Sequence, residues 1–85
     1  MSSSQTPLNL LDFCRSIAIA TTARIHGFEG EPSVVQRLQE IGLHHGIQIK
    51  FMGQAPFHGP MLFRIGPTVV ALREEEARCL IVSPL

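Results

Sequence analysis

Residues 37–46 read Arg37-Leu38-Gln39-Glu40-Ile41-Gly42-Leu43-His44-His45-Gly46, and they are the most informative segment of the chain. Gly42 predicts that an amphipathic helix ends there, because the residue after a helix commonly needs a positive φ, which glycine adopts without steric cost. Gly46 predicts a tight turn. Ile47, Ile49 and Phe51 then alternate with Gln48, Lys50 and Met52, a pattern typical of a strand. The stretch therefore joins a helix to a strand through a very short connection.

The segments upstream predict the rest of this helix and one earlier strand. Ser33 is expected to cap the helix, with Gln36 as its capping-box partner. The apolar stripe of the helix consists of Val34, Val35, Leu38 and Ile41. Residues 16–28 are rich in β-branched side chains and predict a strand, with the strongest signal over residues 21–28.

The segments downstream predict three further strands and a helical turn. The strands cover residues 61–65, 68–72 and 80–82, and the helical turn covers residues 73–78. The connections are short, so the strands are expected to pair antiparallel. The predicted fold class is mostly β with short helices: a small SH3-like barrel of about five antiparallel strands, one α-helix and a helical turn. Closure of the barrel would remove the exposed strand edges.

The amino-terminal segment is the least regular part of the sequence. Residues 1–7 are rich in serine and predict a flexible tail, and residues 8–85 are expected to form a single domain. Asn9 either caps a short helical turn over residues 10–14 or belongs to an irregular arm.

The composition excludes several functional classes. The chain has 85 residues, of which 45% are hydrophobic and 16% charged, which favours one compact domain. Seven basic and seven acidic residues give zero net charge, so binding to nucleic acid is not expected. No apolar run approaches the roughly 20 residues of a spanning helix, so a cytoplasmic protein without direct membrane insertion is predicted. Cys14 and Cys79 are expected to be buried free thiols.

Four motifs in this sequence resemble one known family. They are Arg24-Ile25-His26-Gly27-Phe28, Arg37-Leu38-x-x-Ile41-Gly42-Leu43-x-x-Gly46, Ala55-Pro56 with Gly59-Pro60, and Ala71-Leu72-Arg73-x-x-Glu76-Ala77. The order and spacing of these motifs are similar to those of the FeoA family, the small cytosolic accessory proteins of bacterial ferrous-iron uptake. The resemblance covers about residues 22–82 and implies an SH3-like barrel. The glycine that often precedes the first strand in that family is missing here.

The resemblance also implies a function. FeoA proteins are non-enzymatic, so the chain is expected to act by docking on the cytosolic part of the FeoB permease, without a required cofactor. The residues expected to contact the partner, or to support that contact, are Leu43, Pro56, Phe57, Leu72, Arg37 and Glu76. Phe57 lies at a loop tip between prolines, where its ring either folds back on the barrel or remains exposed. The sequence contains no nucleophile–base arrangement and no glycine-rich phosphate loop.

Two alternative functions remain open. The first is a metal-sensing or metal-binding module, since imidazole and carboxylate groups suit zinc or Fe(II). The candidate ligands are His44, His45, His58, Glu74 and Glu75. Their spacing matches no preformed site, so they predict either exposed side chains or a weak surface site completed in a metal-bridged homodimer. The second alternative is a detached domain of the type found in iron-dependent repressors, which share this fold.

Overall fold

The chain folds into six strands and three short helices within the residues that the structure describes. A computed structural model describes residues 7–15 and 22–85. The elements in chain order are β1 (Leu8–Asn9), α1 (Leu10–Arg15), β2 (Thr22–Phe28), α2 (Pro32–Glu40), β3 (Gln48–Gln54), β4 (Met61–Ile65), β5 (Thr68–Leu72), α3 (Glu74–Ala77) and β6 (Leu80–Pro84). The mostly-β class is confirmed. The predicted count of about five strands, one helix and a helical turn is slightly off: α3 lies at the predicted helical turn, whereas β1 is an additional strand and α1 a further helix.

The strands form one antiparallel sheet in the order β1-β6-β2-β3-β4-β5. The expected closure is wrong: β1 pairs only with β6, and β5 pairs only with β4, so the described sheet keeps two edges. Register shifts occur in β2 between Ile25 and Gly27 and in β3 between Phe51 and Gly53. Bulges of this kind bend strands and increase their twist. The sheet therefore curves without joining its two ends.

The inner face of the sheet carries the core, as the alternation of apolar residues predicts. Ile49 and Phe51 of β3 are buried, and so are Met61 and Phe63 of β4. Phe51 lies directly opposite Phe63, with the ring centroids 5.6 Å apart. Helix α1 packs its apolar residues into the same core, and these are Leu10, Leu11, Phe13 and Cys14.

The end of α2 follows the sequence prediction closely. Gly42 has a φ of 106°, and its N–H donates to the Gln39 carbonyl. The N–H of Leu43 donates to the Leu38 carbonyl at 3.1 Å. These two hydrogen bonds define a Schellman motif, and both leucines are buried beside it. The positive φ explains why glycine occupies this position.

The start of α2 differs from the prediction. Glu31, not Ser33, is the N-cap residue, and Pro32 occupies the first turn. Proline suits this position because its missing N–H would have no helical partner there. Ile41 was expected on the buried stripe but is 47% exposed. It follows the last helical residue, so its side chain leaves the apolar face.

The amino-terminal helix resolves the alternative left open for Asn9. Its side-chain Oδ1 accepts a hydrogen bond from the N–H of Asp12 at 2.8 Å, so Asn9 caps α1. Cys14 and Cys79 are buried and free, as predicted. The predicted tail, apart from Pro7, and the strand-prone residues 16–21 lie outside the described residues. No helix among residues 7–15 and 22–85 is long and apolar enough to cross a membrane.

Candidate functional site

The loop between β3 and β4, residues 55–60, has an uncommon backbone conformation. Phe57 and His58 have φ values of 62° and 57°, so two consecutive residues other than glycine are left-handed. Each such residue costs roughly 1–2 kcal/mol, because its Cβ approaches the following carbonyl oxygen. Strain of this kind persists only where the surrounding structure determines the conformation, and it is common at binding sites. We call residues 55–60 the hairpin loop.

Backbone hydrogen bonds hold the hairpin loop in this conformation. The N–H of Ala55 donates to the Pro60 carbonyl at 2.9 Å, and the N–H of Gly59 approaches the carbonyls of Ala55 and Pro56 at 3.2 Å. A Cβ added at Gly59 would lie 2.9 Å from the Ala55 Cβ and 3.0 Å from the Pro56 carbonyl oxygen. Only glycine fits at this position without a shift of the loop.

The carboxylate of Glu74, in the first turn of α3, connects the hairpin loop to α3 and α1 through polar contacts. Its Oε2 accepts a hydrogen bond from Gln54 Nε2 at 2.7 Å and lies 3.2 Å from His58 Nδ1. Its Oε1 lies 3.3 Å from Arg15 Nη2 at the end of α1. The same Gln54 nitrogen also donates to the Gly59 carbonyl at 2.9 Å. One carboxylate thus joins the loop, α3 and α1.

The pKa of Glu74 is lowered from its ordinary value by these contacts. Hydrogen bonds from Gln54 and His58 are the main causes, and the positive charge of Arg15 adds to them. Since the folded pKa is depressed, this carboxylate stabilises the fold above pH 4.5, its ordinary pKa. That contribution disappears as the pH falls through the lowered pKa.

We therefore expect Glu74→Gln to flatten the acid side of the stability profile. Thermal unfolding midpoints measured between pH 3 and pH 7 should fall less steeply below pH 4.5 in the variant than in the wild type. Glu75→Gln is the matched control, because the neighbouring carboxylate forms no ion pair within the described residues. Identical profiles for the wild type and Glu74→Gln would contradict this role of Glu74.

The tip of the hairpin loop presents an aromatic ring to solvent. Phe57 is 96% exposed, which decides between the two positions that the sequence left open for its ring. Pro56, the preceding residue, is exposed as well. An exposed phenyl ring on a backbone that is held by hydrogen bonds can bind an apolar pocket of another molecule without ordering the loop first.

Two of the other predicted contact residues are buried, and two form an ion pair with each other. Leu43 and Leu72 are 0% and 1% exposed, so they belong to the core and can only support a contact surface. Arg37 of α2 and Glu76 of α3 form an ion pair with 2.6 Å between Nη2 and Oε2. Glu76 Oε1 also accepts a hydrogen bond from the N–H of Arg73 at 2.8 Å. This pair ties α2 to α3, and the partner-binding role of these residues stays a prediction.

The predicted metal ligands are only partly brought together. His58 and Glu74 are in contact, whereas His45 lies beside His26, with ring centroids 6.2 Å apart. His44 and Glu75 are exposed. Across residues 7–15 and 22–85, no group of three histidine, cysteine or acidic side chains could hold a metal ion.

A second surface feature was missed by the sequence analysis. A shallow concavity on the outer face of the sheet is lined by Thr22, Gln48, Lys50, Arg64 and Gly66. The alternation in β3 and β4 places Lys50 and Arg64 on the outer face. Their position opposite each other follows only from the register of the two strands. That register is not visible in the sequence.

Comparisons with known proteins agree with the SH3-like fold. The structure is similar to the NMR structure of a FeoA-like protein from Clostridium acetobutylicum, with 23% identity, a TM-score of 0.81, and 98% of this chain and 91% of that chain covered. A manganese-dependent transcriptional repressor is also similar, with a TM-score of 0.79 and 15% identity. That match covers 98% of this chain and 44% of the repressor, and at this identity it shows the fold alone. No curated protein matches the chain significantly.

The relationship to one family rests on the sequence as well as the fold. The crystal structure of Stenotrophomonas maltophilia FeoA complexed with zinc, a prokaryotic SH3 domain protein, has 25% identity and a TM-score of 0.70, with 89% of each chain covered. Residues 15–84 match the family described as the FeoA domain. That match includes every element from β2 to β6 and confirms the resemblance seen in the four motifs. The chain therefore belongs to the FeoA family, which is linked to ferrous iron transport.

Proposed function

We propose that this protein is a non-enzymatic, cytoplasmic accessory protein of ferrous-iron uptake that docks on the cytosolic part of a FeoB-type permease. Membership of the FeoA family supports the link to iron transport. The observation that carries the docking mechanism is Phe57, whose ring is 96% exposed on the hairpin loop. Aromatic side chains at interfaces often contribute much of the binding free energy.

The energetics favour Phe57 as the anchor of the contact. Burial of an exposed phenylalanine side chain is worth about 1.5–3 kcal/mol. The free protein already maintains the left-handed backbone of Phe57 and His58, so little conformational entropy is lost on binding. Pro56 next to the ring restricts the backbone further. The loop therefore has the properties of a preorganised binding element.

We assign the remaining predicted residues a positioning role in this proposal. Glu74 holds the hairpin loop through Gln54 and His58. The Arg37–Glu76 ion pair keeps α2 on α3, which carries Glu74. Leu43 and Leu72 belong to the buried core. In this proposal they position the loop, and Pro56 and Phe57 contact the permease.

We expect Phe57→Ser to weaken binding to the cytosolic domain of the cognate permease by about 30-fold or more, the effect of losing an aromatic hot spot. Isothermal titration calorimetry with purified proteins would measure the affinity. The fold should be unchanged, since the removed ring has almost no contact with the core.

The matched control for this measurement is Ile41→Ser, which removes another exposed apolar side chain at the end of α2. Its affinity should stay close to that of the wild type. If Phe57→Ser and the wild type bind equally well, Phe57 is not the anchor and the docking proposal in this form fails.

A metal-binding module is the second candidate, because one observation favours it. His58 Nδ1 and Glu74 Oε2 lie 3.2 Å apart and supply two potential ligands at the surface. The FeoA protein of Stenotrophomonas maltophilia was crystallised with zinc. Two copies of the pair would supply four ligands, the number zinc prefers. Zinc-dependent dimerisation that His58→Ala abolishes and His44→Ala preserves would support this function.

A further inference from the structure

The negatively charged side chains all lie on helices and loops, whereas the only charges on the described strands are positive. The seven carboxylate side chains all lie outside the strands, at Asp12, Glu29, Glu31, Glu40, Glu74, Glu75 and Glu76. Three of the seven basic residues are exposed on strands β2, β3 and β4, namely Arg24, Lys50 and Arg64. The outer face of the described sheet therefore carries only positive charge, although the net charge of the chain is zero.

Two of these cations lie side by side on adjacent strands. Lys50 and Arg64 are directly opposite in the pairing of β3 with β4, and neither forms an ion pair within the described residues. Like charges in such a pair repel and destabilise the sheet. An anion bound between them would remove this repulsion.

The surroundings of the pair supply further hydrogen-bond donors. Thr22 of β2 lies opposite Lys50, and Gln48 precedes Lys50 by two residues in β3. The concavity that contains both cations is also lined by Thr22, Gln48 and Gly66, the last of which lies in the turn after β4. The hydroxyl and the amide can each donate, and the described residues place no carboxylate in the lining of this concavity. Its chemistry suits a carboxylate, which accepts hydrogen bonds only.

The apolar residues beside the concavity indicate the source of the carboxylate. Val69, directly opposite Arg64 in β5, is 47% exposed, and Leu62 and Met52 on the same face are 42% and 37% exposed. A small free anion would leave these side chains uncovered. A nucleic acid would need more positive charge than three strand residues in a neutral chain. A peptide that carries both acidic and apolar residues on one face would use both parts of the surface.

We propose that the concavity between Lys50 and Arg64 binds carboxylate side chains of an acidic segment of the partner protein, whose apolar side chains cover Val69 and Leu62. This inference rests on the proposed function, because it names the chemical class of the segment that the docking partner supplies. The surface lies on the outer face of β3, β4 and β5, and the hairpin loop connects two of these strands.

The test uses the full chain labelled with nitrogen-15 and a synthetic peptide that carries glutamate and valine side chains on the same face, with two glutamates followed by two valines in a repeating order. Titration followed by NMR should shift the amides of Thr22, Lys50, Arg64, Gly66 and Val69, and the shifts should shrink as salt rises. The same peptide with glutamine in place of glutamate should cause no such shifts. Equal shifts with the glutamine peptide, or stronger ones with inorganic phosphate or a single-stranded oligonucleotide, would overturn the proposal.

Charge reversal supplies the matched variants. Lys50→Glu should fold normally, because the new carboxylate meets Arg64 across the strands, and it should weaken peptide binding at least about tenfold. Arg78→Glu makes the same change of charge at an exposed position after α3 and should bind like the wild type. An equal loss in both variants would show only a net-charge effect and would overturn the site.

Binding of Lys50→Glu and of Phe57→Ser to the permease domain distinguishes a failure of this inference from a failure of the proposed function. If Phe57→Ser loses binding to the permease domain while Lys50→Glu keeps it, the acidic-segment site fails and the docking function stands. If Lys50→Glu loses binding while Phe57→Ser keeps it, the acidic-segment site stands and Phe57 is not the anchor. Loss in both variants supports both, and full binding by both overturns both.

Discussion

Replacing Phe63 by alanine is expected to lower the free energy of unfolding by about 3–5 kcal/mol. Phe63 is fully buried at the centre of the core, where its ring lies 5.6 Å from that of Phe51. A domain of 85 residues has a total stability of roughly 4–13 kcal/mol. The variant should therefore lose at least about a quarter of its stability and unfold at a clearly lower urea concentration.

Urea denaturation followed by circular dichroism would measure this loss. Leu62→Ala is the matched control, because the neighbouring side chain points to the outer face and is 42% exposed. Its loss should stay below about 1 kcal/mol, as is usual for surface positions. Similar losses in the two variants would contradict the strand orientation described for β4.

The second large effect is the protection of Cys14 from alkylation. Burial raises the pKa of this thiol from its ordinary 9.0 to about 12. Only the thiolate reacts with iodoacetamide. A rise of about 3 pH units in the pKa lowers the thiolate fraction at pH 8 about a thousandfold. Iodoacetamide should therefore modify Cys14 on the order of a thousand times more slowly in the native protein than in urea.

Mass spectrometry of time points would measure the rate, with Cys79→Ala removing the other thiol from the reaction. The rate should rise to that of an ordinary thiol once urea unfolds the chain, which serves as the internal control. Complete modification of native Cys14 within the time needed for the unfolded protein would contradict the burial of α1 against the core.

The sequence predicted the elements whose signals are local. Gly42 marked the end of α2, because a positive φ is a property of a single position. The alternation in β3 and β4 identified the buried side chains, since every second residue of a strand faces the same side. Strand β1, with only two residues, is too short to show any periodicity. The unclosed sheet could not be predicted either, because it depends on pairing between distant segments.

The candidate site was less predictable, for a related physical reason. The sequence placed Phe57 at the tip of a loop but could not decide whether the ring is exposed. Glu74 contacts His58 and Arg15, which are 16 and 59 residues away in the chain. Glu74 can connect the hairpin loop, α3 and α1 only after folding has brought these elements together. The opposition of Lys50 and Arg64 likewise depends on the register of β3 with β4.

The edge strand β5 has a consequence for the handling of this protein. It contains no charged residue and no proline, and two of its five residues are valines. Edge strands without such features pair readily with strands of other molecules. The isoelectric point is about 6.9, so electrostatic repulsion between molecules is weakest near neutral pH. Concentrated stocks should therefore precipitate fastest in neutral buffers and keep longest at a pH well above or below 7.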